Sequence, residues 1–278
     1  MPALLQAAGD AGLAVGFHLE PYPGRSAASV RADVEYISAR YGHHPALHRS
    51  SDGRPVYFVY DSYHIQARGW AAMLQAGGSA SIRCGAHDVR AHTPAQPQLS
   101  RPLASVASPW CCCGLLPRGT PADGVFVGLW LSRNDGAQLH AGGFDGAYTY
   151  FASAGFSYGS TPQNWPSMSD FCRAHGMAFV PSVGPGYDDS RIRPWYARLC
   201  LCHARAPCRG RTPPHARAWG CRNRHTRKDR DAGKYYSAMF RQAIASGQSG
   251  VISITSWNEW GEGTNIEPAM PYQVRLPM

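Results

Sequence analysis

Six short apolar runs, each closing on polar or aromatic residues, constrain this chain more than any other feature. They lie near residues 13–19, 55–60, 124–130, 144–151, 178–183 and 250–256. Their length and β-branched content are those of buried strands. Helical spacing predicts helices over 2–12, 26–41, 67–78, 166–175 and 233–246; in the second, Val30, Val34 and Ile37 share one side. Ser79 to Arg83 reads as a further strand region. Strands that alternate with helices imply a parallel α/β sheet, because a parallel connection must cross back over the sheet before the next strand begins. In such sheets catalytic groups collect past the strands' C-terminal ends.

The sixth run leads into the densest chemistry of the chain, GVISITSWNEWGEGTNIE at 250–267. Glu259 and Glu262 lie three residues apart, Glu259 between Trp257 and Trp260 and Glu262 between Gly261 and Gly263. Indoles offer flat apolar faces to a sugar ring, and glycines let backbone approach a ligand closely. A glycosidic oxygen leaves poorly unless protonated, so one carboxyl of a pair must hold a proton while the other stays ionised. Two acids in one partly apolar pocket push their pKa values apart and so fill both roles. A solvated acidic loop packed over two tryptophans is the plain alternative.

The string WNEWGEGTNIE resembles the signature of glycoside hydrolase family 99, the endo-α-1,2-mannosidases. GFHLEPYPGR, VYFVYDSY, GFDGAYTYFA, FSYGSTPQNW and FVPSVGPGYDDSRIRPW resemble further family strings, in the family's order. The resemblance covers most of residues 10–83, 123–195 and 233–270 and is nearest to the animal members. It implies a (β/α)8 TIM barrel of eight strands. Six are counted here, so the resemblance puts two before residue 1 and predicts an incomplete barrel with open edges, unstable or prone to aggregate in isolation. It further implies a retaining hydrolase of internal α-1,2-mannosidic bonds in glucosylated high-mannose N-glycans. In the family's route Glu259 is the base toward the substrate's 2-hydroxyl and Glu262 the acid/base, with a 1,2-anhydro sugar between the two steps.

Polar groups at the other strand ends are candidate sugar contacts: His18, Glu20, Tyr60, Asp61, Tyr63, Tyr148, Tyr150, Arg193 and Asn258. As a set they suit a polyhydroxylated ligand, since buried polar groups need partners. Tyr150 and Arg193 stand in the most family-like strings. Trp165 and Trp195 are stacking platforms or core residues. No cofactor is expected. His43, His44 and His48, and Cys200, Cys202 and His203, lack correctly spaced partners for zinc.

A net charge of +9 and a pI near 9.2 invite a nucleic-acid reading, but the charge is not spread. Residues 197–231 carry 10 Lys+Arg against 2 Asp+Glu, and 84–122 carry 3 against 1, so the remainder is nearly neutral. Eight of the nine cysteines lie between 84 and 122 or between 196 and 231. Both intervals lack helical or strand period, and a structureless loop of such length is uncommon inside a domain. They read as translated non-coding sequence within a single catalytic barrel domain, which transcript sequencing across the junctions decides; a basic loop for an acidic partner is the alternative.

No apolar run approaches the roughly 18 residues that span a bilayer, and the N-terminus lacks a signal peptide's basic region. The resemblance implies a lumenal Golgi membrane enzyme whose anchor is absent from this sequence, acting on a high-mannose N-glycan or glycoprotein and not on nucleic acid. The other readings are an inactive truncated or mis-spliced fragment of that enzyme and a mannan-binding lectin without turnover.

Overall fold

The computed structural model describes residues 1–83, 120–193, 227–246 and 250–268. Most of both anomalous intervals, and Trp195, lie outside the described residues. The chain divides into two compact units. The first comprises residues 1–149, 163–181 and 246–251, the second residues 150–162, 182–245 and 252–278.

The first unit is α/β, with a five-stranded parallel sheet in sequential order, the order of (β/α)-barrel proteins. Its strands are β1 (Phe17–Leu19), β2 (Val56–Val59), β3 (Val125–Leu129), β4 (Gly146–Tyr148) and β5 (Ala178–Val180). Register runs through Phe17 opposite Tyr57, Val56 opposite Val125, Val127 opposite Gly146 and Gly146 opposite Ala178. Among the described residues the pairing does not close. Every residue of β3, β4 and β5 is buried, as the continuous apolar runs require of strands covered on both faces.

Helices α1 (Pro2–Asp10), α2 (Ala27–Tyr41), α3 (Ala67–Leu74), α4 (Asp135–Gly142) and α5 (Trp165–Ala174) belong to this unit. At the start of α2, Ser26 and Ser29 form a reciprocal capping box, and Val30, Val34 and Ile37 bury the face their spacing predicts. Trp70, Met73 and Leu74 bury α3, and Trp165, Met168 and Cys172 bury α5. Each large side chain so buried contributes about 1.5–3 kcal/mol.

Helix α4 has no clear apolar period, and the sequence does not show it. Close approach builds it instead. A Cβ on Gly128 of β3 would lie 2.2 Å from Leu139, and one on Gly136 of α4 would lie 2.2 Å from the Trp130 ring. Residues 79–83, expected to enter a strand, form turns. The Ile82 amide donates to the Met73 carbonyl at 3.0 Å and the side chain is fully buried, so its apolar signal reports a plug beneath α3.

Beneath the sheet, at the strands' N-terminal ends, Asp145 accepts from Arg83 at 3.0 and 2.6 Å and from the Phe126 amide at 2.8 Å. Arg54 lies 3.8 Å from both Asp123 and Asp145.

In the second unit β6 (Ser182–Val183) pairs in parallel with β7 (Ser253–Ile254), and α6 (Lys234–Ser246) follows a short turn. The run 178–183 is thus two strands, interrupted at Pro181, which has no N–H for a ladder. The predicted buried strand at 250–256 shrinks to two residues, with Ile254 41% exposed. β7 is an edge strand of a two-stranded sheet, so less covers it than the composition predicts. Residues 227–231, assigned to the second anomalous interval, are ordered within this unit: Lys228 makes an antiparallel bridge to Tyr187, with both amide bonds at 2.9 Å.

Candidate active site

The acidic segment after β7 is a closed loop. Ser256 receives the returning chain: its amide donates to the Thr264 carbonyl at 3.0 Å, and its carbonyl accepts from Ile266 at 3.0 Å. The Ser256 and Thr264 hydroxyls meet at 2.8 Å, and the Ser256 Oγ accepts the Glu259 amide at 3.1 Å. Residues Trp260–Glu262 make a single 3-10 turn, which Gly263 ends in the left-handed region at φ 65°. The loop therefore presents Glu259 and Glu262, both half-buried, from a backbone held at its neck.

Beneath the loop, small side chains set the spacing. Ser182 Oγ accepts the Tyr150 amide at 2.6 Å and meets Ser253 Oγ at 2.5 Å. The Thr255 hydroxyl donates to the Tyr150 carbonyl. Tyr150 itself has φ 57°, uncommon for a non-glycine residue. Gly184 admits no Cβ, which would fall 2.2 Å from Ala152 and 2.6 Å from the Thr255 carbonyl. The short polar residues within SVG and SITS, read as strand composition, thus hold Tyr150 in place.

Glu262 is ion-paired. Arg193 Nη1 donates to its Oε1 at 2.7 Å, to Asp189 Oδ2 at 3.1 Å and to Tyr187 Oη at 3.3 Å. Burial pulls the Arg193 pKa down, but the hydrogen bonds to Glu262 and Asp189 outweigh it and the net movement is upward, so Arg193 is a permanent cation. Burial, reinforced by the Glu262 and Asp189 charges, pushes the Tyr187 pKa well up, leaving a neutral phenol beside the acid. Trp257 and Trp260 are 58% and 49% exposed, and Asn258 is exposed; Trp260 Nε1 donates to Glu267 at 3.1 Å. Their open ring faces are what a stacking platform needs.

The first unit gathers a separate polar cluster from the ends of β1, β2 and β4. His18 Nδ1 lies 2.7 Å from Glu20 Oε1, and Nε2 lies 2.7 Å from Tyr148 Oη. In the tautomer with its proton on Nδ1, His18 donates to the Glu20 carboxylate and accepts the Tyr148 hydroxyl's hydrogen bond at Nε2. The Tyr60 ring lies 5.4 Å from the His18 ring. Arg25, absent from the candidates, joins the cluster: Nη1 donates to the Tyr60 carbonyl at 2.7 Å, and Nε and Nη2 are buried with no partner among the described residues. Burial lowers its pKa, against the nearby Tyr22, Asp61 and Glu20. Its signal was legible, as the one cation of GFHLEPYPGR.

Two expected contacts, Tyr63 and Trp165, fall elsewhere. Tyr63 lines a groove of about 380 Å³ between α3 and α4, with Gln66, Arg68, Asp135 and Gln138. Asp61, near Arg25, lies in the left-handed region at φ 47°, 3.6 Å from His64. Trp165 is fully buried in the core and has no face for a sugar. Its place at the start of an amphipathic helix, followed by Met168 and Cys172 at helical spacing, explains the burial.

A sequence model of glycosyl hydrolase family 99 matches residues 1–92, 112–211 and 208–276. The chain belongs to glycosyl hydrolase family 99. The gap between the first two matched stretches and the overlap between the last two fall inside the two compositionally anomalous intervals. Over 98% of its length this family 99 chain is 37% identical to a glycoprotein endo-alpha-1,2-mannosidase-like protein of Danio rerio, covering 48% of it. It is 36% identical, over the same share, to the Xenopus laevis glycoprotein endo-alpha-1,2-mannosidase, covering 47%. It therefore spans about half the length of these relatives. Among solved structures, the GH99 endo-alpha-mannosidase of Bacteroides thetaiotaomicron, in complex with bis-tris-propane, matches with TM-score 0.71 at 39% identity. That match covers 96% of this chain and 63% of the bacterial one.

Proposed function

We propose that this family 99 chain hydrolyses internal α-1,2-mannosidic bonds of glucosylated high-mannose N-glycans, with retention of anomeric configuration. The observation that carries the reading is the Trp-flanked loop that presents Glu259 and Glu262, with Arg193 2.7 Å from Glu262. In the first step Glu259 takes the proton of the substrate's 2-hydroxyl, and O2 attacks C1. The bond from C1 to the departing mannose oxygen breaks, and Glu262 gives that oxygen its proton. In the second step Glu262 removes a proton from water, and the water oxygen attacks C1. The C1–O2 bond opens, and O2 recovers its proton from Glu259. Two inversions at C1 leave the configuration as it began.

Arg193 holds the Glu262 carboxyl through its hydrogen bond, with the Tyr187 hydroxyl against the same guanidinium. The His18–Glu20–Tyr148 cluster and Arg25 are assigned to sugar hydroxyls. Action on glycoproteins places the enzyme on the secretory route, at the Golgi membrane in our reading; among the described residues no helix is long and apolar enough to cross a membrane.

Glu259→Gln and Glu262→Gln are each expected to lower kcat by about 10²–10⁴-fold, the usual weight of a general acid or base, while leaving glycan affinity in place. Release of a glucosyl-mannose disaccharide, with the first-formed anomer read by NMR, checks the reaction. Binding with no turnover in the unsubstituted chain would instead make it a lectin.

A further inference from the structure

Residues 227–230 join two parts of the acid site. Lys228 bridges Tyr187 through both backbone bonds at 2.9 Å, and the next residue, Asp188, donates its amide to the Glu262 carbonyl at 2.8 Å. Arg227 lies 3.4 Å from Asp188. Arg230 then reaches the far side of the loop: its Nη2 donates to the Gly263 carbonyl at 2.9 Å, the Asn265 carbonyl at 2.6 Å and Asn265 Oδ1 at 3.1 Å. One short segment therefore holds the 187–193 loop, which supplies Arg193 and Asp189, and the 263–265 backbone immediately after Glu262.

Carbonyl oxygens of a left-handed turn have few intrachain donors, so a guanidinium is well suited to gather them. The main chain at Gly263 has an unusual conformation to keep, and without Arg230 the Gly263 and Asn265 carbonyls turn to water. We propose that Arg230 is a positioning residue: it fixes the turn on which Glu262 acts as acid, and with it the register of Glu262 against Arg193. This rests on the assignment of Glu262 as the acid.

Arg230 is itself exposed, so its replacement leaves the core intact. The test has two readouts. Hydrogen exchange of the Asp188 and 263–265 amides reports the clamp without any need for turnover, and Arg230→Met is expected to speed it at least tenfold. Turnover is compared on two mannosyl substrates, one with a sugar leaving group and one with fluoride, which departs without protonation. Arg230→Met is expected to lower kcat at least tenfold for the sugar and less than threefold for the fluoride, with little change in KM. Arg230→Lys, whose ammonium brings three donors to one point, restores part of the loss. Unchanged exchange overturns the clamp, and equal losses on both substrates overturn the positioning of the acid. A chain that cleaves neither substrate but shows the exchange effect retains the clamp and refutes the enzymatic reading.

Discussion

Arg193 has three oxygen neighbours within 3.3 Å, and two of them belong to carboxyl groups. Charge-assisted hydrogen bonds of this kind are worth about 1.5–3 kcal/mol, and each 1.4 kcal/mol is about a factor of ten. Arg193→Gln is therefore expected to lower kcat/KM by roughly ten- to a hundredfold. Steady-state kinetics on the disaccharide-releasing reaction measures it. The candidate acid pair was legible at this scale, because Trp, Gly and Glu crowd into a few residues. The partner of Glu262 was not. Arg193 is sixty-nine residues away in sequence, and the charge of an arginine says nothing of which carboxylate it meets.

Among the elements, α4 shows what composition conceals. Its packing depends on Gly128 and Gly136, where the absence of a side chain is the contact-forming feature. Trp130, against which Gly136 rests, is itself only 4% exposed and cannot swing out. Gly136→Val is expected to cost about 1–3 kcal/mol by overpacking, a fall in Tm of roughly 2–10 °C, measurable by calorimetry. The amphipathic helices α2 and α5 were legible from spacing. β7 was overestimated, since an apolar β-branched run reports a preference for burial and leaves the number of neighbouring strands open. Residues 228–230 fell inside an interval set aside for its composition, yet they form the bridge to Tyr187.

Across the molecule, burial acts on two groups that the chemistry does not use. It pushes the Cys172 thiol up from 9.0 to about 12 and the Tyr57 phenol up from 10.0 to about 12. Both folded-state pKa values exceed the unfolded ones, so the unfolded chain releases these protons first as pH rises. Their contribution is complete below about pH 9 and is lost toward pH 12. At pH 10.5 the thiol alone costs on the order of 2 kcal/mol. The urea midpoint is therefore expected to fall between pH 8 and 10.5, by less in Cys172→Ala once its own loss of packing is measured at pH 8. By itself the sequence determined the parallel alternation of strands and helices, the family and the candidate acid pair, because these are written in local periodicity and in one contiguous string. Only the tertiary structure decided that Trp165 is core, that Tyr63 belongs to the α3–α4 groove, and that Arg193 and Arg230 hold the loop of Glu262. Those outcomes depend on which distant polar ends meet, and a residue's place in a periodic pattern records that it is buried without recording against what.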